Sequence, residues 1–439
     1  MTDVNVSANP MAYAQAVRVD ALQAAERTAG DARAADRVGV VGAGTMGRGI
    51  VLALLRGGCE VVWWDVETAA LTAGEDWVRA TCDADVTKGR MDAAQARATL
   101  AMLRAAPGLE AMRDTDLIIE AVIEDMDVKR ALFTRLDGLL GADAVLATNT
   151  STLDVDALAA CTGRAEQVVG LHFFSPAHVM KLIEVVRGRA TRPTVLAQAL
   201  ALALRLGKVP VVSAVCDGFI GNRVLAPYVR MAHALVEYGA SPLEVDRALE
   251  DWGMAMGPLR MGDLVGNDVG WAIRRRRDAA RGGPPPARFA DHLCELGRFG
   301  QKRGAGWYRY APGSREALPD PDVDALLDAY RTLHGITPRH FSTEEIVDRC
   351  VISLIDEAAR VVEEGIARCP GDVDLVFLTG YGFPAVRGGP LHEADQRGAD
   401  AVVQRIEVLA SMPGPGWSFV EPAPLLLRLA RDGGLFGGL

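Results

Sequence analysis

VGVVGAGTMGRGIVLALL, residues 38–55, decides the fold. A short apolar run rich in valine leads into Gly42, Gly44 and Gly47 in GxGxxG spacing, and an apolar stretch at helical spacing follows. A strand that passes through a tight glycine turn into a helix is a phosphate-binding device. The first glycine permits the turn, the second lets backbone amides approach a pyrophosphate, and the third lets the helix lie close on the strand. Thr45 and Met46 then fall in the first helical turn, at the positive end of the helix. The spacing alone is weak evidence, but a second predicted strand, EVVWWDV, ends in Trp64-Asp65, 18 residues after Gly47. An acidic side chain there can hold the adenosine ribose hydroxyls. Asp65 would repel a 2′-phosphate, and Val66, Glu67 and Thr68 supply no arginine for one, so NAD is expected over NADP. The plainer reading of Asp65, a cap on the following helix, needs no ligand.

Outward from this stretch, DLIIEAV, AVLATNTS, QVVGLHFF, KLIEVV and VPVVSA repeat the short, continuous, β-branched pattern of strands buried on both faces. The fold class expected is therefore an α/β Rossmann-like doubly wound domain, residues 37–215, followed by two similar all-α domains. Residues 1–36 read as a helical extension or linker, one helix with a loose lead-in. After Asp217 the strand pattern stops, and the chain repeats itself at a shift of 126 places: Asn222-Arg223 falls on Asp348-Arg349, Glu237 on Glu363 and Gly239 on Gly365. GMAMGPLRMGD (253–263) resembles GYGFPAVRGGP (380–390) after small gaps. Two helical domains are expected, 216–312 and 341–439, joined by a Pro-rich linker, 313–340.

Composition narrows the classes of function. A net charge of −10 opposes a nucleic-acid partner, and no run of roughly 18 apolar residues suggests a membrane span. The seven cysteines (59, 82, 161, 216, 294, 350 and 369) show neither CxxC pairs nor metal-ligand spacing, so no metal and a reducing, cytoplasmic setting are expected. The N-terminus does not read as a leader, nor the C-terminal Gly-Gly-Leu as a peroxisomal address. Only five of the 47 basic residues are lysine (88, 129, 181, 208 and 302), which draws attention to each position where a compact ammonium is kept.

Beyond the glycine turn come EAVIEDMDVK (120–129), NTSTL (149–153), GLHFFSPAHVMKLIEVV (170–186) and DGFIGNRVLAPY (217–228), and then MGPLRMGDLVGNDVGWAIR, LCELGRFGQKRGAGWY and GYGFPAVRGGP. In these motifs the chain resembles the L-3-hydroxyacyl-CoA dehydrogenases over about residues 37–435, most of all the dehydrogenase part of the multifunctional β-oxidation enzymes. The resemblance implies NAD-dependent interconversion of an L-3-hydroxyacyl-CoA and its 3-keto form. Apart from the family, oxidising a secondary alcohol needs a base, and histidine titrates in the useful range. His172 ends the run VVGLH, where a strand's carboxyl end meets a ligand crevice, and Glu184 on the next strand can hold its other nitrogen. The resemblance makes these two the catalytic pair. It places Ser151 and Asn222 on substrate oxygens, although by themselves they read equally well as a turn residue and a helix cap. It places Ala121, Val122, Glu124, Lys129 and Asn149 beside the glycine turn around NAD. It puts Thr81 and Lys88 on the CoA moiety, although CDADVT between them is acidic for that purpose. The other six histidines read as structural, with His178 beside the site.

Two departures stand out. The multifunctional relatives carry a hydratase half ahead of the linker helix, where this sequence has residues 1–36, so no hydratase activity is expected of it. Leu391-His392-Glu393 replaces bulkier residues after the second Gly-Gly-Pro. The second helical copy, with Asp348 in place of Asn222, is expected to support the first in place of dimerisation. The expected partner is an acyl-CoA, with a separate enoyl-CoA hydratase or thiolase possible and the chain monomeric or homodimeric. Two other readings keep the same residues: a dehydrogenase of a non-CoA hydroxy acid, and a non-catalytic NAD-binding subunit of a hydratase or thiolase complex.

Overall fold

The computed structural model of the chain describes residues 9–413 and 421–439. Residues 1–8 of the expected lead-in and 414–420 of the expected last domain lie outside it. The chain divides into two compact units, one formed by Ala12–Asn222 with Glu364–Tyr381, the other holding Arg223–Glu363 and Gly382–Leu439. The first unit thus takes in most of the N-terminal helix and a short segment from the second helical copy.

The first unit is built on eight strands: β1 (Arg37–Val41), β2 (Glu60–Trp64), β3 (Leu103–Ala105), β4 (Leu117–Glu120), β5 (Val145–Thr148), β6 (Val168–Phe173), β7 (Leu182–Arg187) and β8 (Val209–Ala214). They lie in the order β3-β2-β1-β4-β5-β6-β7-β8. All neighbours are parallel except β6 and β7. The order reverses between β1 and β4, which is where a doubly wound sheet opens its ligand crevice. The helices that accompany the sheet in this part of the chain are α1 (Pro10–Ala29), α2 (Thr45–Arg56), α3 (Thr68–Thr87), α4 (Ala93–Ala101), α5 (Met126–Asp137), α6 (Val155–Ala159) and α7 (Pro193–Arg205).

Successive strand residues point to opposite faces, and the two hydrophobic clusters divide accordingly. Val40, Ile119, Ala147 and Val185 join one cluster with α2 and α7. Val41, Ile118, Leu146 and Val186 join the other with Phe133 of α5 and Leu158 of α6. Covering both faces is what makes these strands read as unbroken apolar runs. β3 was not among the expected strands. It is a three-residue strand paired on one side only, and none of its residues is fully buried.

The helical succession confirms the internal repeat. α8 (Gly221–Glu237), α9 (Pro242–Trp252), α10 (Pro258–Val265), α11 (Asn267–Arg281) and α12 (Phe289–Glu295) are followed by α13 (Pro321–His334). Then α14 (Thr343–Glu363), α15 (Pro370–Gly380), α16 (Pro390–Arg397), α17 (Ala399–Ser411) and α18 (Pro424–Asp432) run through the same series. α9 and α15 each have 11 residues, and α10 and α16 each have 8. The register of the repeat differs from that expected. Gly257 and Gly389 are the N-caps of α10 and α16, so GPLRMGD matches GPLHEAD, and Gly380-to-Pro390 is not the counterpart of Gly253-to-Asp263. The matched aspartates do the same work. Asp263 accepts the backbone N–H groups of Trp307 and Tyr308 at 3.0 Å, and Asp395 accepts those of Phe436 and Gly437 at 2.7 and 2.9 Å. Leu391, His392 and Glu393 are buried in α16, with Glu393 bonded to Arg397. They are structural in this unit.

Asp348, the counterpart of Asn222, is held by Arg397 at 2.9 Å and Arg405 at 2.7 Å. An acceptor-only carboxylate tied to two guanidinium groups cannot act as a donating amide.

Glu237, at the end of α8, accepts the Phe289 N–H at 2.8 Å, and burial pushes its carboxyl from 4.5 up to about 7. Between those values the folded chain keeps a proton that the unfolded chain has released, so stability falls as pH rises through that window. Glu237→Gln should therefore raise the melting temperature near about pH 8, relieving on the order of 1–3 kcal/mol, and do little near about pH 5. Equal shifts at the two pH values in thermal melts would contradict this.

Candidate active site

Gly42 follows β1 with φ +112°, a conformation that L side chains rarely adopt, and a Cβ there would come within 2.5 Å of the Ala121 carbonyl oxygen. At Gly47 a Cβ would lie 2.0 Å from the Gly42 carbonyl oxygen, so the third glycine is what lets α2 close on the turn. Gly44 differs from both. It is the exposed N-cap of α2, with no side-chain cap, and nothing lies within 4 Å of where its Cβ would be. The first turn of α2, with Thr45 and Met46, therefore presents its uncapped end to open space beside the β1–β4 switch point. That is the cradle a pyrophosphate needs.

Asp65 follows β2 and accepts the Ala43 N–H at 2.6 Å and the Glu67 N–H at 2.8 Å. The turn itself thus holds the carboxylate, which still has lone pairs for ribose hydroxyls. These residues fit a dinucleotide without a 2′-phosphate. Asp65→Ser combined with Val66→Arg, at an exposed position, should shift preference from NAD toward NADP. An unchanged ratio of kcat/KM for the two cofactors would show that the ribose lies elsewhere.

On the other side of the switch point, Ala121 and Val122 continue β4. Ala121 donates to Val41 O at 2.8 Å, and Val122 donates to the carboxylate of Glu120 at 2.8 Å. Glu120, fully buried at the end of a strand, also accepts Thr148 Oγ1 at 2.7 Å and Lys129 Nζ at 2.5 Å. Lys129 is itself buried and stands 3.6 Å from Glu124. Its ammonium is thus committed to two carboxylates, so it braces the crevice wall. Glu120 was not among the expected site residues, although a charged residue closing the apolar run LIIE was a signal for it.

Glu124 organises the NTST loop. It accepts Thr150 Oγ1 at 2.7 Å, the Ser151 N–H at 2.8 Å, Ser151 Oγ at 3.1 Å and the Thr152 N–H at 3.1 Å. Burial pushes its carboxyl up, but the Lys129 charge and the Thr150 and Ser151 donors outweigh this and leave it below its usual value. The side chain of Asn149 accepts the Phe173 N–H at 2.9 Å, fixing the loop to β6.

His172 and Glu184 are direct partners in the β6–β7 register. In an antiparallel pair, opposite side chains share a face and stand close, which brings together residues 12 apart in the chain. His172 Nδ1 lies 2.7 Å from Glu184 Oε2. The other carboxylate oxygen accepts the N–H groups of Ile220 and Gly221 at 3.1 and 2.9 Å, where α8 begins. Glu184 is 0% exposed and His172 5%. With only acceptors on Glu184, the imidazole must place its proton on Nδ1, which leaves the Nε2 lone pair available. Nε2 has no hydrogen-bond partner among the described residues. Phe174 and Phe219 hold the ring, with centroids 4.6 and 5.8 Å away. Phe219 has a φ of +50°, the only positive value for a non-glycine residue among those described, one residue before the first of these two amides.

Asn222, in the first turn of α8, donates from Nδ2 to the Ser151 carbonyl oxygen at 3.3 Å. Ser151 and Asn222 are therefore neighbours. Thr81 and Lys88 are not joined to them by any contact among the described residues. Thr81 bonds back to Trp77 O at 2.8 Å within α3, and Lys88 is exposed at the end of that helix. Of the acidic residues between them, Asp85 is paired with Arg56 and Arg90.

Residues 37–216 match the NAD binding domain of 3-hydroxyacyl-CoA dehydrogenase, and residues 218–310 and 346–436 each match its C-terminal domain. The peroxisomal bifunctional enzyme of Danio rerio is 43% identical over 409 residues, 90% of this chain and 56% of that protein. The chain thus spans little more than half the length of that relative. The crystal structure of 3-hydroxybutyryl-CoA dehydrogenase from Escherichia coli has a TM-score of 0.78 at 29% identity, covering 91% of this chain and 99% of that one. That of (S)-3-hydroxybutyryl-CoA dehydrogenase from Ralstonia eutropha has a TM-score of 0.60 at 34% identity, covering 63% and 100%. With its glycine turn, its buried histidine–glutamate pair and two copies of the helical domain, the chain belongs to the 3-hydroxyacyl-CoA dehydrogenase family.

Proposed function

We propose that the chain interconverts an L-3-hydroxyacyl-CoA thioester and its 3-keto form, with His172 as the acid–base residue. The observation that carries this reading is the imidazole whose Nδ1 is held by a buried carboxylate and whose Nε2 has no hydrogen-bond partner among the described residues. In the oxidative direction Nε2 takes the proton of the 3-hydroxyl as the C–O bond gains double-bond character. Glu184 keeps the tautomer and stabilises the imidazolium that results. Gly42, Gly44, Gly47 and Asp65 would hold NAD, which would supply the acceptor for the hydride leaving C3. Asn222 brings an Nδ2 hydrogen toward the oxygen on which charge develops, and Ser151, whose hydroxyl donates to Glu124, holds that amide through its carbonyl oxygen. In the reductive direction His172 returns the proton.

Relatives that act on 3-hydroxybutyryl-CoA support a short acyl chain as the first substrate to try. Acetoacetyl-CoA should be reduced by NADH, followed by the loss of NADH absorbance. Turnover of free 3-hydroxy acids with none of the CoA thioesters would replace the CoA assignment. Binding of NADH without turnover of either class would favour a non-catalytic subunit.

A further inference from the structure

We propose that Tyr381, contributed by the second helical copy, is a positioning residue that sets which end of the Asn222 amide meets the substrate oxygen. The inference rests on the function proposed above. Tyr381 Oη donates to Asn222 Oδ1 at 3.0 Å, across 159 positions of sequence, within the same compact unit. The amide's two ends are nearly the same size, but one donates and the other accepts. With Oδ1 on the phenol and one Nδ2 hydrogen on Ser151 O, the second Nδ2 hydrogen is the group left to donate to an incoming oxygen. Rotated by half a turn, the amide would offer a lone pair to an oxygen gaining negative charge, which repels it.

The phenol is held for this task. Its ring stacks on Phe377 at 5.0 Å and meets the edge of Phe174 at 5.5 Å, and Phe174 in turn lies against His172. Gly221 is what allows the approach: a Cβ there would stand 2.5 Å from the Tyr381 hydroxyl oxygen. Burial, and then the nearby Glu184 charge, push the Tyr381 hydroxyl well above its ordinary pKa, so it remains a donor throughout the working pH range. This gives the second copy a part in the chemistry even though Asp348 cannot repeat the role of Asn222.

The test is kinetic, on the full chain with acetoacetyl-CoA and NADH. Tyr381→Phe keeps the ring and removes the hydroxyl. It should lower kcat about tenfold, the scale of one misdirected hydrogen bond, while KM for NADH and the melting temperature stay close to wild type. In an Asn222→Ala background the same change should cost nothing further, because the residue acts through that amide. A wild-type kcat for Tyr381→Phe, or an equal loss in both backgrounds, would overturn the proposal. If Tyr381→Phe does not fold, Phe377→Leu loosens the same ring, and its loss of kcat must likewise vanish with Asn222→Ala. A wild-type chain that turns over no acyl-CoA would reject the functional reading, and this proposal with it. Failure of the tyrosine claim alone shows itself with the wild type active.

Discussion

His172→Ala should reduce kcat for acetoacetyl-CoA by roughly 10²–10⁴-fold, the range for loss of a positioned acid–base group, and leave NADH affinity close to wild type. The separation of the two effects follows from the sheet. His172 lies on β6, whereas the dinucleotide cradle is formed at the ends of β1 and β2, and none of the hydrogen bonds that shape Gly42, Gly44 or Asp65 involves the imidazole. Steady-state kinetics and NADH fluorescence titration check the two halves. A loss of less than about tenfold in kcat would reject His172 as the base.

Glu184→Gln is expected to be nearly as severe, for a reason specific to this site. All three groups on the carboxylate are donors: Ile220 N–H, Gly221 N–H and the imidazole Nδ1. An amide brings two hydrogens of its own, so one end must face either the paired backbone donors or the imidazole N–H. Facing the imidazole, it reverses the tautomer and removes the Nε2 lone pair. Facing the backbone, it leaves buried N–H groups unsatisfied at the start of α8, at about 1–3 kcal/mol of stability. Either way the charge that stabilises the imidazolium is gone, and kcat should fall about 10²–10⁴-fold. Kinetics with a parallel thermal melt tell the two orientations apart. A variant with near-wild-type kcat would mean that Glu184 is a packing residue only.

The parts of this site legible in the sequence are those whose signal is local. The glycine turn announces itself because three positions in six residues meet three separate steric demands, each visible in what a Cβ would strike or leave open. The His172–Glu184 pair was readable because both lie on neighbouring apolar strands. What periodicity could not supply was the antiparallel register that sets them directly opposite.

Other features depend on long-range partners. The family resemblance places Lys129 and Glu124 around the cofactor, and in the structure both belong to a network with Glu120 and the NTST loop. β3 alternates, with Leu103 and Ala105 half-buried and Arg104 exposed, but three residues are too few for that pattern to stand out from a loop. The repeat is legible in the long α8 and α14 motifs, whereas the loops that follow them suggest a different register from the one the structure has. The anchoring positions there are the glycine N-caps and the aspartates Asp263 and Asp395, whose partners lie some forty residues on. Tyr381 had no local signal at all, since its meaning depends on Asn222.

The direction of His172 Nε2 in the filled site decides the mechanism. A crystal structure of the chain with NAD and acetoacetyl-CoA would decide it. Nε2 should lie about 2.6–3.2 Å from the 3-oxygen, with Nδ1 still on Glu184. An imidazole turned away from that oxygen, with another group in its place, would contradict the mechanism.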